Sequence, residues 1–250
     1  MFGINKGQTD NKIAPAKKFA GDLDFASAEA YNLLRTNISF SLAGKTGARL
    51  IGVSSPCPQE GKSFTSINLS YSLAKDGQKV LLIDADMRRP SVSTVLEYSR
   101  TPGLSNLLAG GDPAEIIHTG VLHDNLDVLF SGDIPPNPSE LLGSEVMGTV
   151  MNAFSEKYDY VVVDLPPVTA VADPLIMSKR LDGILVVIRH NQTKKKNARE
   201  AVRQLRFSGV RILGFVYNGY HQGSSRYYKK SKYYRKSYYT YESKPDTAAK

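Results

Sequence analysis

Short apolar segments alternate along this chain with segments of helical periodicity, and this alternation limits the fold it can adopt. The apolar segments are ARLIGVSS, KVLLIDAD, NLDVLFSG, YDYVVVDLP, GILVVIR and RILGFVYN. Helical patterns lie between them, as in GKSFTSINLSYSLAKDG and from about Ser139 to Glu156. Such alternation is typical of a mostly parallel sheet with helices on both faces. We therefore predict an α/β fold whose ligand binds at the carboxyl ends of the strands.

The composition divides the chain into three parts. Residues 1–23 mix Lys, Gly, Asn and Pro without periodicity, which predicts a flexible N-terminal lead. Residues 24–220 open with an amphipathic helix that ends at Gly44 and contain all the alternating segments, so we predict one domain there. Residues 221–250 form a basic, tyrosine-rich tail.

Most of the positive charge lies in that tail. The chain carries a formal charge of +8, and residues 221–250 hold eight basic against two acidic residues, which leaves +2 for the rest. Local basicity argues against a polyanion-binding function of the whole surface. The single cysteine, Cys57, excludes an internal disulfide and fits a reducing cytosol. No apolar run approaches the ~20 residues of a membrane-spanning helix, and no signal-peptide pattern is present, so we expect a cytoplasmic chain.

The segment SSPCPQEGKSF, residues 54–64, follows a predicted strand and opens a predicted helix. It ends in Gly-Lys-Ser, as does the phosphate loop in which backbone N–H groups and a helix N-terminus hold phosphates. Pro56 replaces the opening glycine of the usual pattern, and Gln59 stands where glycine would be favourable. We predict a P-loop NTPase fold, with Lys62 reaching the β- and γ-phosphates. The predicted cofactor-binding residues are Gln59, Glu60, Gly61, Lys62, Ser63 and Phe64.

Two further strands end in acidic residues. VLLIDADMRRP contains Asp84 and Asp86, and VVVDLPP contains Asp164. A single aspartate at a strand end is as readily a helix cap or a turn residue. Three of them beside a phosphate loop indicate a nucleotide site, where carboxylates hold Mg²⁺ or accept a proton. The predicted metal ligands are Ser63, Asp84 and Asp164.

Together these motifs resemble the bacterial tyrosine kinases that control capsule and exopolysaccharide production, in their split cytoplasmic form. The matching segments are the Gly-Lys-Ser loop, LLIDADMRRP with its Arg88, VVVDLPP, PPNPSELL at 135–142 and the cluster RYYKKSKYYRKSYYTYE at 226–242. The resemblance runs from about Ala26 to the end of the chain. Its Asp-x-Asp strand separates the family from most phosphate-loop ATPases.

The resemblance implies a protein-tyrosine kinase that uses ATP and Mg²⁺ and phosphorylates its own tail in trans. Lys62, Asp84 and Asp86 would be catalytic, with Asp84 activating the acceptor tyrosine, and Arg88 would contribute through the same motif. The implied phosphoacceptors are Tyr227, Tyr228, Tyr233, Tyr234, Tyr238, Tyr239 and Tyr241.

The resemblance also implies partners. They are further copies of the chain in a ring-like homo-oligomer, a membrane-embedded activator of the polysaccharide co-polymerase type, and a phosphotyrosine phosphatase. The chain would then lie at the inner face of the membrane through its partner. The family's Glu-x-x-Arg-x-x-Arg contact motif reads Glu29, Asn32 and Arg35 here, so Glu29 and Arg35 are the expected oligomer contacts.

Two other classes of function are open to the same sequence. A partitioning or site-selection ATPase would carry an extra lysine early in the phosphate loop, at about Cys57. A nucleic-acid-binding module could use the basic aromatic tail, because bases stack on aromatic rings. The tail contains Tyr but no Phe or Trp, which favours chemistry at the hydroxyl over stacking. We therefore predict the kinase, with no nucleic-acid partner.

Overall fold

The structure, a computed structural model, describes residues 19–220. The chain separates into two units, residues 1–218 and residues 219–250, and the first contains all the described helices and strands. The seven predicted phosphoacceptor tyrosines and most of the predicted lead lie outside the described residues.

Six parallel strands form one sheet in the order β3-β2-β4-β1-β5-β6. Strands β2 and β4 are buried along their whole length, as continuous apolar runs between two helical layers require. The strands are β1 (Arg49–Ser54), β2 (Val80–Asp84), β3 (Leu126–Leu129), β4 (Tyr160–Asp164), β5 (Gly183–Arg189) and β6 (Ile212–Asn218).

Nine α-helices are present within residues 19–220, several of them only one turn long. Two short 3-10 helices, Ala20–Asp22 and Ser178–Arg180, complete the regular structure of this part. The helices are α1 (Phe25–Ser41), α2 (Lys62–Lys75), α3 (Val92–Leu96), α4 (Leu104–Leu108), α5 (Pro113–Ile116), α6 (Pro138–Gly143), α7 (Glu145–Lys157), α8 (Asp173–Met177) and α9 (Lys195–Phe207).

The sheet separates two hydrophobic cores. Alternate residues of β2 point to opposite sides, so that Leu81 and Ile83 join one core and Leu82 joins the other. Helices α7 and α9 cover the first core, and α1 and α2 cover the second. The predicted α/β fold, with a parallel sheet and helices on both faces, is confirmed.

Two boundaries differ from those expected from the sequence. The predicted helix from Ser139 to Glu156 is two helices, because Ser144 takes an extended backbone (ψ 158°) and its Oγ accepts a hydrogen bond from the Met147 N–H. Packing also begins before residue 24, since the Ala20 N–H donates to Asn68 Oδ1 at 2.8 Å. Among the described residues, no helix combines the length and the apolar composition that a membrane span requires.

Candidate active site

The carboxyl ends of β1, β2 and β4 meet at one edge of the sheet. Asp84 and Asp164 are register partners on the neighbouring strands β2 and β4, and the phosphate-loop segment leaves β1 beside them. The loop ends at Lys62, the first residue of α2. The topology therefore brings together the phosphate-loop segment and the two acidic strand ends that the sequence predicts for one nucleotide site.

The phosphate loop has a left-handed backbone at two positions. Gly61 has φ 97°, and a Cβ atom built on it would lie 1.9 Å from Nδ2 of Asn218. Only glycine can occupy a position that combines this φ with so close an approach. Gln59 has φ 64°, an uncommon conformation for a residue with a side chain, at the place where glycine would be favourable.

The Glu60 side chain stabilises the loop through hydrogen bonds. It is buried, and its carboxylate accepts hydrogen bonds from the Cys57 N–H at 2.8 Å and from Thr193 Oγ1 at 2.6 Å. The Glu60 carbonyl accepts a further bond from Asn218 Nδ2 at 3.0 Å. The prediction that Glu60 binds the cofactor can therefore apply only to its main chain, because the carboxylate is used within the protein.

Two long-range contacts hold the backbone of the loop. Arg189 donates from Nη1 to the Gln59 carbonyl at 2.9 Å, and Thr169 donates from Oγ1 to the Pro56 carbonyl at 2.7 Å. The sequence patterns predict neither residue, and they do not predict Thr193 or Asn218 for the site. Each lies more than 100 residues from its partner and carries no motif of its own, so a single sequence offers no signal for it.

Lys62 is buried between carboxylates. Its Nζ lies 2.9 Å from Asp86 Oδ2 and 3.3 Å from Asp164 Oδ2. Burial alone would lower the pKa of Lys62, but the charges of Asp164 and Asp86 outweigh it and raise that pKa. The side chain is therefore cationic at neutral pH, as a phosphate-binding lysine must be.

Three buried carboxyl groups, those of Asp84, Asp86 and Asp164, surround the single cation of Lys62. Asp84 is fully buried and accepts backbone hydrogen bonds from Val92 at 3.1 Å and from Ser91 at 3.3 Å. Burial raises the pKa of Asp84 to about 8, Asp164 adds to the rise, and Lys62 opposes it. Burial likewise raises the pKa of Asp164, against the effect of Lys62. This edge of the sheet thus favours an additional cation.

The oxygen atoms here suit Mg²⁺. Ser63 Oγ donates to Asp164 Oδ2 at 2.5 Å and accepts from Ser91 Oγ at 2.6 Å, and hydroxyl and carboxylate oxygens are hard ligands. The described residues contain no group of three or more His, Cys, Asp or Glu side chains arranged to hold a metal ion. Ser63, Asp84 and Asp164 fit the ion only if phosphate oxygens and water complete its shell. Ser91 was not predicted for this site.

Arg88, in the segment VLLIDADMRRP, contacts the PPNPSELL segment and the start of α8. Its Nε donates to Asp173 Oδ2 at 2.8 Å, and its Nη2 donates to Ser139 Oγ at 2.9 Å. Asp173 is fully buried and also accepts from Ser139 Oγ at 2.5 Å. These contacts give Arg88 a visible structural function, which is to anchor the start of α6 and of α8 beside the site.

The two expected oligomer contacts differ in their surroundings. Glu29 is exposed on α1, where its carboxylate accepts a weak bond of 3.4 Å from Asn32. Arg35 is half-buried and binds within the chain, at 3.0 Å from both the Ser72 carbonyl and Asp76 Oδ1. Glu29 is therefore available to a neighbouring copy, whereas Arg35 already holds α1 against α2.

The fold and this site define the class of the protein. A family model described as "ParA: NUBPL iron-transfer P-loop NTPase" matches residues 48–244. Tyrosine-protein kinase YwqD of Bacillus subtilis is 39% identical over 193 residues, which cover 77% of this chain and 81% of that protein. Tyrosine-protein kinase CpsD of Streptococcus agalactiae is 35% identical over 221 residues, or 87% of this chain and 90% of that protein.

Solved structures of bacterial tyrosine kinases are similar to this chain as well. The kinase domain of the Escherichia coli tyrosine kinase ETK superposes with a TM-score of 0.74 at 34% identity, covering 79% of this chain and 77% of that one. The chain belongs to the bacterial tyrosine-protein kinases, a branch of the P-loop NTPases. It spans only 27% to 30% of the length of three other tyrosine-protein kinases, from Ralstonia and Acinetobacter, so these relatives are much longer.

Proposed function

We propose that this chain transfers the γ-phosphate of ATP to the tyrosines of its own tail on a neighbouring copy, and thereby regulates the production and export of capsular or extracellular polysaccharide. The observation that carries the proposal is the position of Lys62, which lies at the end of a phosphate loop between Asp86 and Asp164. A phosphate-loop protein accelerates phosphoryl transfer mainly by positioning and charge neutralisation. Both are available at this site.

In the proposed reaction the tyrosine oxygen bonds to the γ-phosphorus, the bond from that phosphorus to the bridging oxygen of ADP breaks, and the tyrosine proton passes to a carboxylate. Lys62 exchanges its carboxylate partners for the β- and γ-phosphate oxygens. Asp84 is the proposed proton acceptor, with Asp86 beside it. Mg²⁺ bound through Ser63, Asp84 and Asp164 would neutralise the phosphates and favour the ionised form of Asp84. Glu60 and Arg189 keep the loop in shape while the phosphates bind.

The tail is the proposed substrate because it combines seven tyrosines with a formal charge of +6. Lysine and arginine between the tyrosines would steer it toward an acidic site that holds a nucleotide. About twenty residues separate the end of β6 from the last tyrosines, and such a length reaches up to about 70 Å when extended. Length alone therefore allows delivery to a second copy.

The remaining proposals rest on the resemblance to the family. They are a ring-like homo-oligomer, a membrane-embedded activator that brings the chain to the inner face of the membrane, and a phosphatase that removes the phosphates. Each phosphate adds about −1.5 to −2 at neutral pH, so three or four would cancel the charge of the tail. Phosphorylation would then remove the attraction of the tail to the acidic nucleotide site, and the phosphatase would restore it.

Phosphotyrosine mapping tests the proposal. The purified chain is incubated with ATP and Mg²⁺, with and without a peptide from a candidate membrane activator, and digested for mass spectrometry. Phosphate should accumulate on tyrosines between Tyr227 and Tyr241, and faster with the activator peptide. Hydrolysis of ATP without any phosphotyrosine under either condition would reject the kinase assignment in favour of a simple ATPase.

A further inference from the structure

A concave surface lies between α9 and the edge strand β6, among residues that the proposed reaction does not use. It encloses about 490 Å³ and is bordered by Lys195, Arg199, Arg203 and Arg206, with Val202 and Phe215 on its floor. We refer to this surface as the α9 groove.

The groove is strongly cationic. Residues 194–211 contain seven Lys or Arg and one acidic residue, Glu200. Arg203 binds Glu200 through two hydrogen bonds, of 3.0 Å from Nε and 2.7 Å from Nη2. No described acidic side chain forms an ion pair with Lys195, Arg199 or Arg206. These three exposed cations are therefore available to an anionic ligand.

The floor of the groove is aromatic and apolar. Phe215 pairs with Val186 across β5 and β6, and its side chain is 52% exposed although it faces the α9 side of the sheet. Val202 is half-buried next to it. A ring bound over Phe215 would cover apolar surface that the domain leaves open, at the stacking or edge-to-face distances that aromatic pairs prefer.

Arginine, an aromatic floor and a concave shape together select the ligand. Guanidinium groups bind phosphate oxygens through paired hydrogen bonds, which the ammonium group of lysine cannot do, and three of the four bordering cations are arginines. Lipid phosphates would bind the cations but leave Phe215 without an aromatic partner, and a nucleic-acid strand needs several stacking rings in succession. An aryl phosphate can bind the cations through its phosphate and pack its ring against Phe215 at the same time.

We propose that the α9 groove binds phosphotyrosine, presented by the phosphorylated tail of a second copy of this chain. The proposal rests on the proposed function for the source of the phosphotyrosine. Before phosphorylation the tail, at +6, is repelled by the groove, and each phosphate reverses part of that repulsion. The groove therefore distinguishes the product of the kinase from its substrate, and gives a phosphorylated copy a second binding site away from the nucleotide.

A binding assay with synthetic peptides tests this inference. A fluorescent peptide of residues 226–242, phosphorylated on its seven tyrosines, is titrated with the full-length chain after phosphatase treatment, and anisotropy is measured. It should bind at least about tenfold more tightly than the unphosphorylated peptide, given the strength of hydrogen bonds to charged groups. A peptide with phosphoserine at the same positions should bind more weakly, because it lacks the ring that covers Phe215.

Paired variants locate the site. Arg199→Glu with Arg206→Glu should weaken binding at least about tenfold, whereas Lys157→Glu with Lys179→Glu makes the same change in charge on other exposed positions and should leave it unchanged. Lys62→Met should also leave it unchanged, which excludes binding of the peptide at the nucleotide site. Circular dichroism and melting curves check that each variant is folded.

The inference is overturned if both peptides bind equally, if the two arginine replacements have no effect, or if only Lys62→Met abolishes binding. It is also overturned if anionic lipid vesicles or a single-stranded oligonucleotide bind the groove and the phosphopeptide does not. The peptide is phosphorylated by synthesis, so its binding does not depend on the activity of the chain. Absence of autophosphorylation would reject the proposed function alone, and absence of peptide binding would reject the groove alone.

Discussion

Lys62 and the aspartates around it form an arrangement that favours ligand binding over stability. A buried charge is tolerated when it is paired and hydrogen-bonded. Lys62 is paired with both Asp86 and Asp164, but a third carboxyl group, that of Asp84, is buried nearby, so one cation faces three carboxyl groups. Burial raises the pKa of Asp84 to about 8, and the charge of Asp164 adds to the rise. Perturbed groups of this kind are typical of functional sites.

Replacement of Lys62 by methionine should abolish tail phosphorylation. The variant keeps the length and the apolar stem of the side chain but removes the cation that we propose contacts the phosphates. Loss of one such group lowers phosphoryl transfer by about 100- to 1,000-fold. Lys75→Met, at the exposed end of the same helix, is the matched control and should keep its activity. Full autophosphorylation by Lys62→Met, measured with labelled ATP, would place the site elsewhere.

Replacement of Asp84 by asparagine should stabilise the nucleotide-free chain at high pH while abolishing transfer. Because burial raises the pKa of Asp84 from 3.8 to about 8, the folded chain holds a proton between these values that the unfolded chain has released. The contribution of Asp84 to the free energy of unfolding is therefore complete at low pH. It falls as the pH rises above 3.8 and is fully lost once the pH has passed about 8. Asparagine does not ionise, so the variant should exceed the parent in melting temperature more at pH 8.5 than at pH 5.

Melting curves in EDTA at the two pH values measure this difference. Asp124→Asn, an exposed position, is the control and should not change the pH dependence. Identical pH dependence of the parent chain and Asp84→Asn would show that Asp84 is ionised in the folded state at neutral pH.

At the scale of the elements, the sequence predicted the strands well because each is a continuous apolar run. Strand β5 was predicted at its observed bounds, and the predicted helix GKSFTSINLSYSLAKDG begins one residue before α2. The contacts that shape the phosphate loop could not be predicted. Glu60 and Thr193 are 133 residues apart, and neither residue type indicates such a bond by itself. Short helices such as α4 and α8 depend on tertiary packing, which no local pattern reports.

Gly61→Ala should disrupt the phosphate loop by more than the backbone strain of an alanine at positive φ accounts for. Gly61 and Gly77 both have positive φ, 97° and 85°, so alanine costs about 1–2 kcal/mol at either position. A Cβ at Gly77 has open space, whereas a Cβ at Gly61 lies 1.9 Å from Asn218 Nδ2. Nucleotide binding, measured by calorimetry, should therefore be lost in Gly61→Ala and kept in Gly77→Ala. Equal effects of the two changes would show that the loop can move away from Asn218.

Alanine substitutions at the two charged residues of α1 should affect oligomerisation and stability differently. Glu29→Ala removes an exposed carboxylate and should shift the oligomer toward monomer in sedimentation without changing the melting temperature. Arg35→Ala should lower the melting temperature as well, because Arg35 binds Ser72 and Asp76 within the chain. Glu156→Ala, an exposed acid on α7, is the control. An unchanged oligomer in Glu29→Ala would move the subunit interface away from this face of α1.

At the scale of the whole molecule, charge is divided between an acidic nucleotide site and a basic tail. Residues 221–250 carry +6, whereas Asp84, Asp86 and Asp164 surround one lysine at the site. Electrostatic attraction therefore favours delivery of the tail before the reaction. Phosphorylation of all seven tyrosines would bring the tail to roughly −4 to −8, which favours release afterwards. The direction of the proposed cycle follows from this reversal of charge.

Transfer between copies is the central claim, and a mixing experiment tests it directly. A Lys62→Met chain with its natural tail is incubated with ATP, Mg²⁺ and an active chain whose seven tail tyrosines are phenylalanine. Neither chain can phosphorylate itself, so any phosphotyrosine must come from the other copy. Mass spectrometry should find phosphate between Tyr227 and Tyr241 of the Lys62→Met chain. A Lys62→Met tail without phosphate, beside an active chain that phosphorylates its own natural tail, would contradict transfer between copies.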